Sequence, residues 1–130
     1  MPLTLQIEGS AIHDICSLHA ELNRVFMAGE DWQLGPSLDA LDDLLHGGYG
    51  ALAGHDQVTL VWRDIAHSRA ALGVDATRRW LQAKLDGPGH FNAQAITHQL
   101  QALQRGDGQT YFEIVMEIFG GHRQITLIPA

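Results

Sequence analysis

A group of carboxylates in the first half of the chain has the residue types and spacing that could do chemistry. No Lys or Arg lies between Arg24 and Arg63, and that interval holds six acids: Glu30, Asp31, Asp39, Asp42, Asp43 and Asp56. Closely spaced carboxylates can hold a cation, divide acid and base roles, or present negative charge to a basic partner. They can also form a solvated surface without a further role.

Three of these acids fall on one short predicted helix. Ser37 is a suitable N-cap, and leucines at positions 38, 41 and 45 then mark one face. Asp39 and Asp43 are four residues apart, about 40° around the axis, and therefore share the opposite face. Asp42 flanks this pair, and His46 continues the same polar stripe. Because the leucines point into the core, we expect the aspartates to face solvent.

The residue pattern argues against several kinds of site. The aspartate spacing lacks the alternating ligands and the glycine of an EF-hand loop. No two of the eight histidines are four residues apart, so we interpret them as surface or capping residues and expect no metal and no cofactor. We interpret Cys16, the single cysteine, as a small buried side chain rather than a nucleophile. A divalent-metal hydrolase that uses the three helix aspartates and nearby histidines stays open as an alternative.

Length and composition indicate one globular domain, 1–130. The chain has 130 residues, 45% of them hydrophobic and 18% charged, which excludes a disordered or fibrous chain. Its formal net charge of −7 disfavours direct binding to nucleic acid or to an anionic membrane and suits a basic partner. A single cysteine, no secretory leader and no apolar run of about 18 residues make the cytoplasm the expected location.

The hydropathy pattern alternates between strands and helical crossovers. It predicts strands over 3–7, 58–62 and 124–128, the middle one covered on both faces. Asp64 is expected to cap a helix to about Leu72, and Asp75 the next helix. The remaining predicted helices are 11–27, 38–45, 93–103 and 111–119, with a break at 87–89. This order implies an α/β fold with a small parallel sheet.

Four stretches occur in an order that resembles the barstar family, the intracellular inhibitors of secreted bacterial ribonucleases. The most specific is Ser37-Leu38-Asp39-Ala40-Leu41-Asp42-Asp43-Leu44-Leu45. The others are Ser17-Leu18-His19, Val61-Trp62-Arg63 and Ile125-Thr126-Leu127-Ile128. The resemblance covers about 1–72 and 109–128 and leaves 73–108 as an extra helical insertion before the last helix. Asp42 stands where the family helix has a tryptophan, and Ser37 stands at an asparagine position.

The resemblance implies a three-stranded parallel sheet packed by helices, and a protein that inhibits rather than catalyses. Family members place carboxylates in the phosphate-binding sites of the ribonuclease. Asp39 and Asp43 stand at the central positions, and Glu117 matches a glutamate late in the last helix. We expect Asp42 and Trp32 to join this contact, because exposed aromatic residues anchor interfaces.

The expected partner is a basic, secreted-type ribonuclease bound by a chain that is monomeric when free. An immunity protein or regulator that binds another basic toxin is the alternative within the same fold. By contrast, Trp62, Trp80, Tyr111 and Phe112 are expected to be packing residues.

Overall fold

A computed structural model describes residues 3–87 and 92–130 and shows an α/β fold with one three-stranded sheet. In chain order the elements are β1 (Leu3–Glu8), α1 (Ile15–Phe26), α2 (Leu38–Leu45), β2 (Val58–Arg63), α3 (Ile65–Ala71), α4 (Val74–Asp86), α5 (Ala93–Arg105), α6 (Tyr111–Gly120) and β3 (Ile125–Pro129). The sheet order is β1-β2-β3, and both strand pairs are parallel. The predicted small parallel sheet is confirmed. Within the described ranges no helix has the length and apolar character needed to cross a membrane.

The sheet buries one face more completely than the other. In register, Leu5, Leu60 and Leu127 point to the helical side, and Leu60 is fully buried. The alternate row contains Val61, which is half-buried, and Ile128, which is 43% exposed. The expectation that β2 is covered on both faces is therefore wrong. Thr and Val in its alternate row suit a surface that is only partly shielded by the flanking strands.

Trp62 lies at the centre of the main core, as expected. Its side chain is fully buried, and its indole Nε1–H donates a hydrogen bond to Ser68 Oγ at 3.0 Å. Ser68 Oγ in turn donates to the carbonyl of Gly9 at 3.1 Å. A Cβ on Gly9 would lie 2.2 Å from the carbonyl oxygen of Arg63, so only glycine permits this approach. The chain after β1 is thereby fastened to β2 and α3.

Three local expectations from the sequence are wrong in part or in full. Asp64 occupies the N-cap position of α3, as predicted, but its φ is 50° and its side chain makes no capping hydrogen bond. Gly73 occupies the N-cap of α4, which places Asp75 in the first turn instead. Cys16 is exposed, because it lies on the outward side of α1. That helix starts later than predicted, after Asp14, whose carboxylate accepts a hydrogen bond from Ser17 N.

The predicted extra segment, 73–108, contains two helices that pack on each other. Leu81 of α4 forms a second small apolar cluster with Ile96 and Leu103 of α5. Trp80 contacts both this cluster and the main core, and its ring meets Tyr111 edge to face at 4.8 Å. The predicted break at 87–89 falls mostly outside the described residues. Trp80 and Tyr111 thus join the helix pair to α6, in agreement with a packing role.

Buried polar side chains connect the elements of the main core. His19 Nε2 lies 2.8 Å from the hydroxyl of Tyr111, which joins α1 to α6. Burial lowers the pKa of His19 and raises the pKa of Tyr111 to about 12, so both groups are neutral near pH 7. Within the described residues, every buried side-chain nitrogen and oxygen has a hydrogen-bond partner.

Glu21 is a nearly buried carboxylate that joins α1 to β1. It accepts hydrogen bonds from the backbone N–H of Glu8 at 2.7 Å and from two nitrogens of Arg24 at 2.7 and 2.6 Å. Burial alone would raise the pKa of Glu21. The hydrogen bonds and the charge of Arg24 outweigh burial and hold this pKa below its ordinary value of 4.5. Ionised Glu21 therefore stabilises the folded state.

We predict that Glu21→Gln lowers the free energy of unfolding by about 1 to 3 kcal/mol near neutral pH, the range for a hydrogen-bonded charge. Because the folded-state pKa is depressed, this stabilisation is complete above the unfolded-state pKa and is lost as pH falls through the folded-state value. The deficit of the variant should therefore shrink in acid. Urea unfolding at several pH values measures it. Glu8→Gln, whose exposed carboxylate lies 3.8 Å from Arg63, is the control and should cost less than about 1 kcal/mol.

Candidate functional site

The short helix α2 presents three carboxylates to solvent from a firmly held backbone. Ser37 Oγ accepts a hydrogen bond from Ala40 N at 3.1 Å, which confirms the predicted N-cap. The aspartates at positions 39, 42 and 43 are all exposed. On the other side Leu41, Leu44 and Leu45 are at most 1% exposed, while Leu38 is half-buried. The apolar stripe therefore includes Leu44, which the sequence pattern left out.

Helix α6 lies beside α2 and brings Glu117 to the same side of the molecule. Thr110 and Glu113 form a capping box that begins α6. Glu117 is exposed, and its Oε2 accepts a hydrogen bond from Gln109 Nε2 at 2.6 Å. Asp42 and Glu117 line one open cavity of about 640 Å³. Two of the predicted contact residues, more than 70 positions apart in sequence, are thus brought together.

Asp39 lies next to a basic side chain that the sequence did not place there. It borders a shallow depression of about 370 Å³ together with Trp80 and Lys84. The Lys84 ammonium sits 4.0 Å from the centre of the Trp80 ring. Burial lowers the pKa of Lys84, and the charge of Asp39 opposes part of that effect. The helix aspartates therefore have no basic residue near them in the sequence, but the fold brings Lys84 close to Asp39.

Trp32 lies on the flank of α2 that carries Asp43. The Trp32 side chain is 45% exposed, and its ring lies 4.9 Å from that of Tyr49. Burial raises the pKa of Tyr49, and the negative charge of Asp43 adds to the effect, which places these two groups near each other. Two reciprocal hydrogen bonds between Asn23 and Leu34 fasten the loop that carries Trp32. An aromatic pair thus borders the aspartates.

The fold also gathers two histidines around Asp42. His122 Nε2 lies 2.7 Å from Asp42 Oδ1, and His46 Nδ1 lies 2.8 Å from the backbone carbonyl of Asp42. The two imidazole rings meet edge to face at 4.9 Å. Sequence spacing connects Asp42 with His46, one helical turn apart, but no local signal connects either residue with His122. The interpretation of the histidines as surface or capping residues is correct for His46, the exposed C-cap of α2, and wrong for His19, which is buried.

A family model described as Barstar (barnase inhibitor) matches residues 3–94. The match runs continuously from β1 through α4, so it includes much of the segment that the sequence resemblance treated as an insertion. Glu117 and His122 lie outside it. No curated protein matches the chain.

We predict that Ser37→Ala lowers the free energy of unfolding by about 0.5 to 2 kcal/mol through loss of the N-cap. Because α2 has only eight residues, amide hydrogen exchange should accelerate over its first turn. Asn92→Ala is the matched control, since Asn92 Oδ1 accepts from Ala95 N in the same manner at α5. Its faster exchange should be confined to α5. Unchanged exchange in α2 of the Ser37 variant would show that packing alone fixes the helix.

Proposed function

The chain belongs to the Barstar family, and from this premise we propose that it inhibits a basic ribonuclease by covering the active site of that enzyme. We call the group formed by Asp39, Asp42, Asp43 and Glu117 the acidic surface. In this proposal the acidic surface occupies the places that RNA phosphates take in the ribonuclease. Trp32 and Tyr49 contribute apolar contact at its border.

Charge complementarity gives the proposal its physical basis. A ribonuclease must hold phosphate groups with Arg, Lys and His side chains, so its cleft is positively charged. Carboxylates that meet such groups form charge-assisted hydrogen bonds, which are stronger than neutral ones. The net charge of −7 further favours encounter with a basic protein. An acidic, pre-organised helix therefore suits this partner.

The observation that carries the proposal is the rigid exposure of the α2 aspartates. Ser37 caps the helix, and three buried leucines hold it against the core. The backbone that carries the aspartates is therefore already ordered before a partner binds, which lowers the entropic cost of binding. The proposal further places the chain in the cytoplasm, where it would protect the cell that makes the ribonuclease, and treats the free chain as a monomer.

A second candidate function differs from the first in the identity of the basic partner. Asp42 stands where the family helix resembled by this chain has a tryptophan, which replaces an apolar contact by a charge. This difference favours a target whose cleft offers an additional cation at that position. The alternative is accordingly an immunity protein or regulator for another basic toxin, with the same surface in use.

We predict that the chain binds a guanyl-specific microbial ribonuclease in isothermal titration calorimetry, and more tightly at low salt. Asp39→Asn combined with Asp43→Asn should weaken binding by roughly 10- to 100-fold per residue, since a charge-assisted hydrogen bond contributes about 1.5 to 3 kcal/mol. The control combines Glu8→Gln with Asp64→Asn, which removes equal charge near the carboxyl ends of β1 and β2, outside the acidic surface. Equal weakening in both double variants, or no binding by the parent chain, would contradict the proposal.

We predict a separate loss of ribonuclease affinity for Trp32→Ala, because exposed aromatic side chains at an interface border bury area at little entropic cost. The loss should reach at least about tenfold, while the melting temperature changes by no more than a few degrees. Val74→Ala is the control, since Val74 is similarly exposed (47%) at the start of α4. An unchanged dissociation constant for the Trp32 variant would remove Trp32 from the interface.

A further inference from the structure

Asp42, His46 and His122 bring one potential ligand atom each to within 4.8 Å of one another. We propose that these three residues, the histidine–aspartate cluster, form a binding site for Zn²⁺ or a chemically similar divalent transition metal. Two imidazole nitrogens and one carboxylate oxygen are a usual protein ligand set for zinc. The same set disfavours Mg²⁺ and Ca²⁺, which take oxygen ligands almost exclusively.

The hydrogen bond made by His46 leaves its second ring nitrogen available for a metal. A backbone carbonyl can only accept a hydrogen bond, so His46 Nδ1 must carry the proton in its 2.8 Å contact with the Asp42 carbonyl. This leaves Nε2 of His46 with a free lone pair. Histidine ligands in proteins commonly have their second nitrogen bonded to a carbonyl in this way, which fixes both tautomer and ring orientation.

The three side chains must shift by up to about 1.5 Å to accept the ion, because their ligand atoms lie within 4.8 Å of one another. Tetrahedral zinc with ligand distances near 2.0 to 2.1 Å separates its ligand atoms by about 3.3 Å. The hydrogen bond between His122 Nε2 and Asp42 Oδ1 is 2.7 Å long, so the two side chains must part slightly and exchange that bond for the metal. The Asp42 side chain is 51% exposed and can rotate, while His122 is only 11% exposed and stays in place. The proton on His122 Nε2 moves to Nδ1 or to solvent.

Two helix ends converge on the cluster and favour a cation there. His46 is the C-cap of α2, and His122 follows Gly121, the C-cap of α6. The aligned peptide dipoles give a helix C-terminus a partial negative charge, which attracts cations. The carboxylate of Asp42 adds a full negative charge to this field.

The cavity of about 640 Å³ supplies a route to the cluster and room for a fourth ligand. All three residues of the cluster line this open cavity. Three protein ligands with one position open to solvent leave that position to water or to a side chain of a bound partner. The metal therefore binds from solution without any opening of the fold.

One consequence of metal binding rests on the proposed function. Asp42 contributes −1 to the acidic surface, and a bound divalent cation changes the charge of that position to +1. A basic ribonuclease would then meet a like charge at the centre of its docking site. Zinc should accordingly weaken ribonuclease binding, which makes the cluster a metal-dependent control of the inhibitor.

The test is calorimetric titration of the chain with ZnCl₂ near pH 7.5. We expect one ion per chain. His46→Gln and His122→Gln should each weaken zinc binding by more than the roughly 10- to 100-fold expected for loss of an outer-shell partner. The control combines His13→Gln with His67→Gln, which removes another edge-to-face histidine pair, with rings 5.4 Å apart, and should leave zinc affinity unchanged.

Cobalt absorption gives a readout that does not depend on heat. Co²⁺ in a four-coordinate site absorbs strongly in the visible region, and this band should vanish in the His122→Gln variant but persist in the control. Circular dichroism of each variant confirms that it is folded. Absence of zinc binding, or equal zinc affinity in cluster and control variants, would overturn the proposed site. An affinity for Mg²⁺ equal to that for zinc would also overturn the site, because it would indicate that the ion is bound by oxygen ligands alone.

A final arm separates the metal site from the proposed function. Ribonuclease affinity is measured with and without saturating zinc, for the parent chain and for His122→Gln. Zinc should weaken binding by at least tenfold in the parent and have no effect in the variant. If the ribonuclease does not bind at all, the proposed function fails while the zinc titration still decides the site. If the ribonuclease binds with equal affinity with and without zinc, the proposed control of the inhibitor by zinc is wrong, but the metal site is retained.

Discussion

The burial of the α2 leucines determines where the carboxylates of this protein point. A fully buried leucine contributes about 1.5 to 3 kcal/mol, whereas repulsion between two aspartates one helical turn apart costs only a few tenths. Three buried leucines therefore prevail over the repulsion of Asp39 and Asp43 by a wide margin. An eight-residue helix is unstable by itself, so this packing is also what keeps α2 folded. The opposite face of α2 is not constrained by packing, so it can hold the three aspartates.

Much of the fold follows from local hydropathy patterns, which is why the order of strands and helices could be predicted. Period-two alternation identified β1, an almost continuous apolar run identified β2, and helical spacing identified α1, α2 and α6. The errors occur where two local signals compete. Asp75 has the right residue type for a cap, but α4 begins at Val74, so Gly73 occupies the N-cap and Asp75 lies in the first turn. Cys16 was assigned to the core by residue type, whereas its place on α1 turns it outward.

In the candidate site, too, the features set by local sequence could be predicted, and the contacts between distant residues could not. Exposure of the three aspartates could be predicted, because residues four apart on a helix share a face regardless of the rest of the chain. The contacts of Asp42 with His122 and of Asp39 with Lys84 could not. They depend on how α6 and α4 lie beside α2, and helix packing leaves no short-range trace in the sequence. Glu117 could be predicted as a site residue only from the family resemblance.

The helix pair α4 and α5 has a consequence for how this domain can change over time. Thr77 and Trp80 attach α4 to α6, since Thr77 Oγ1 accepts a hydrogen bond from Tyr111 N at 2.7 Å and Trp80 packs on the Tyr111 ring. Beyond these two residues the pair buries its apolar side chains mainly in its own cluster. The distal part of this helix pair can therefore become longer, shorter or different during evolution without disturbing the sheet or the buried leucines of α2. Its exposed outer side is a surface on which related proteins can diversify while the central architecture stays the same.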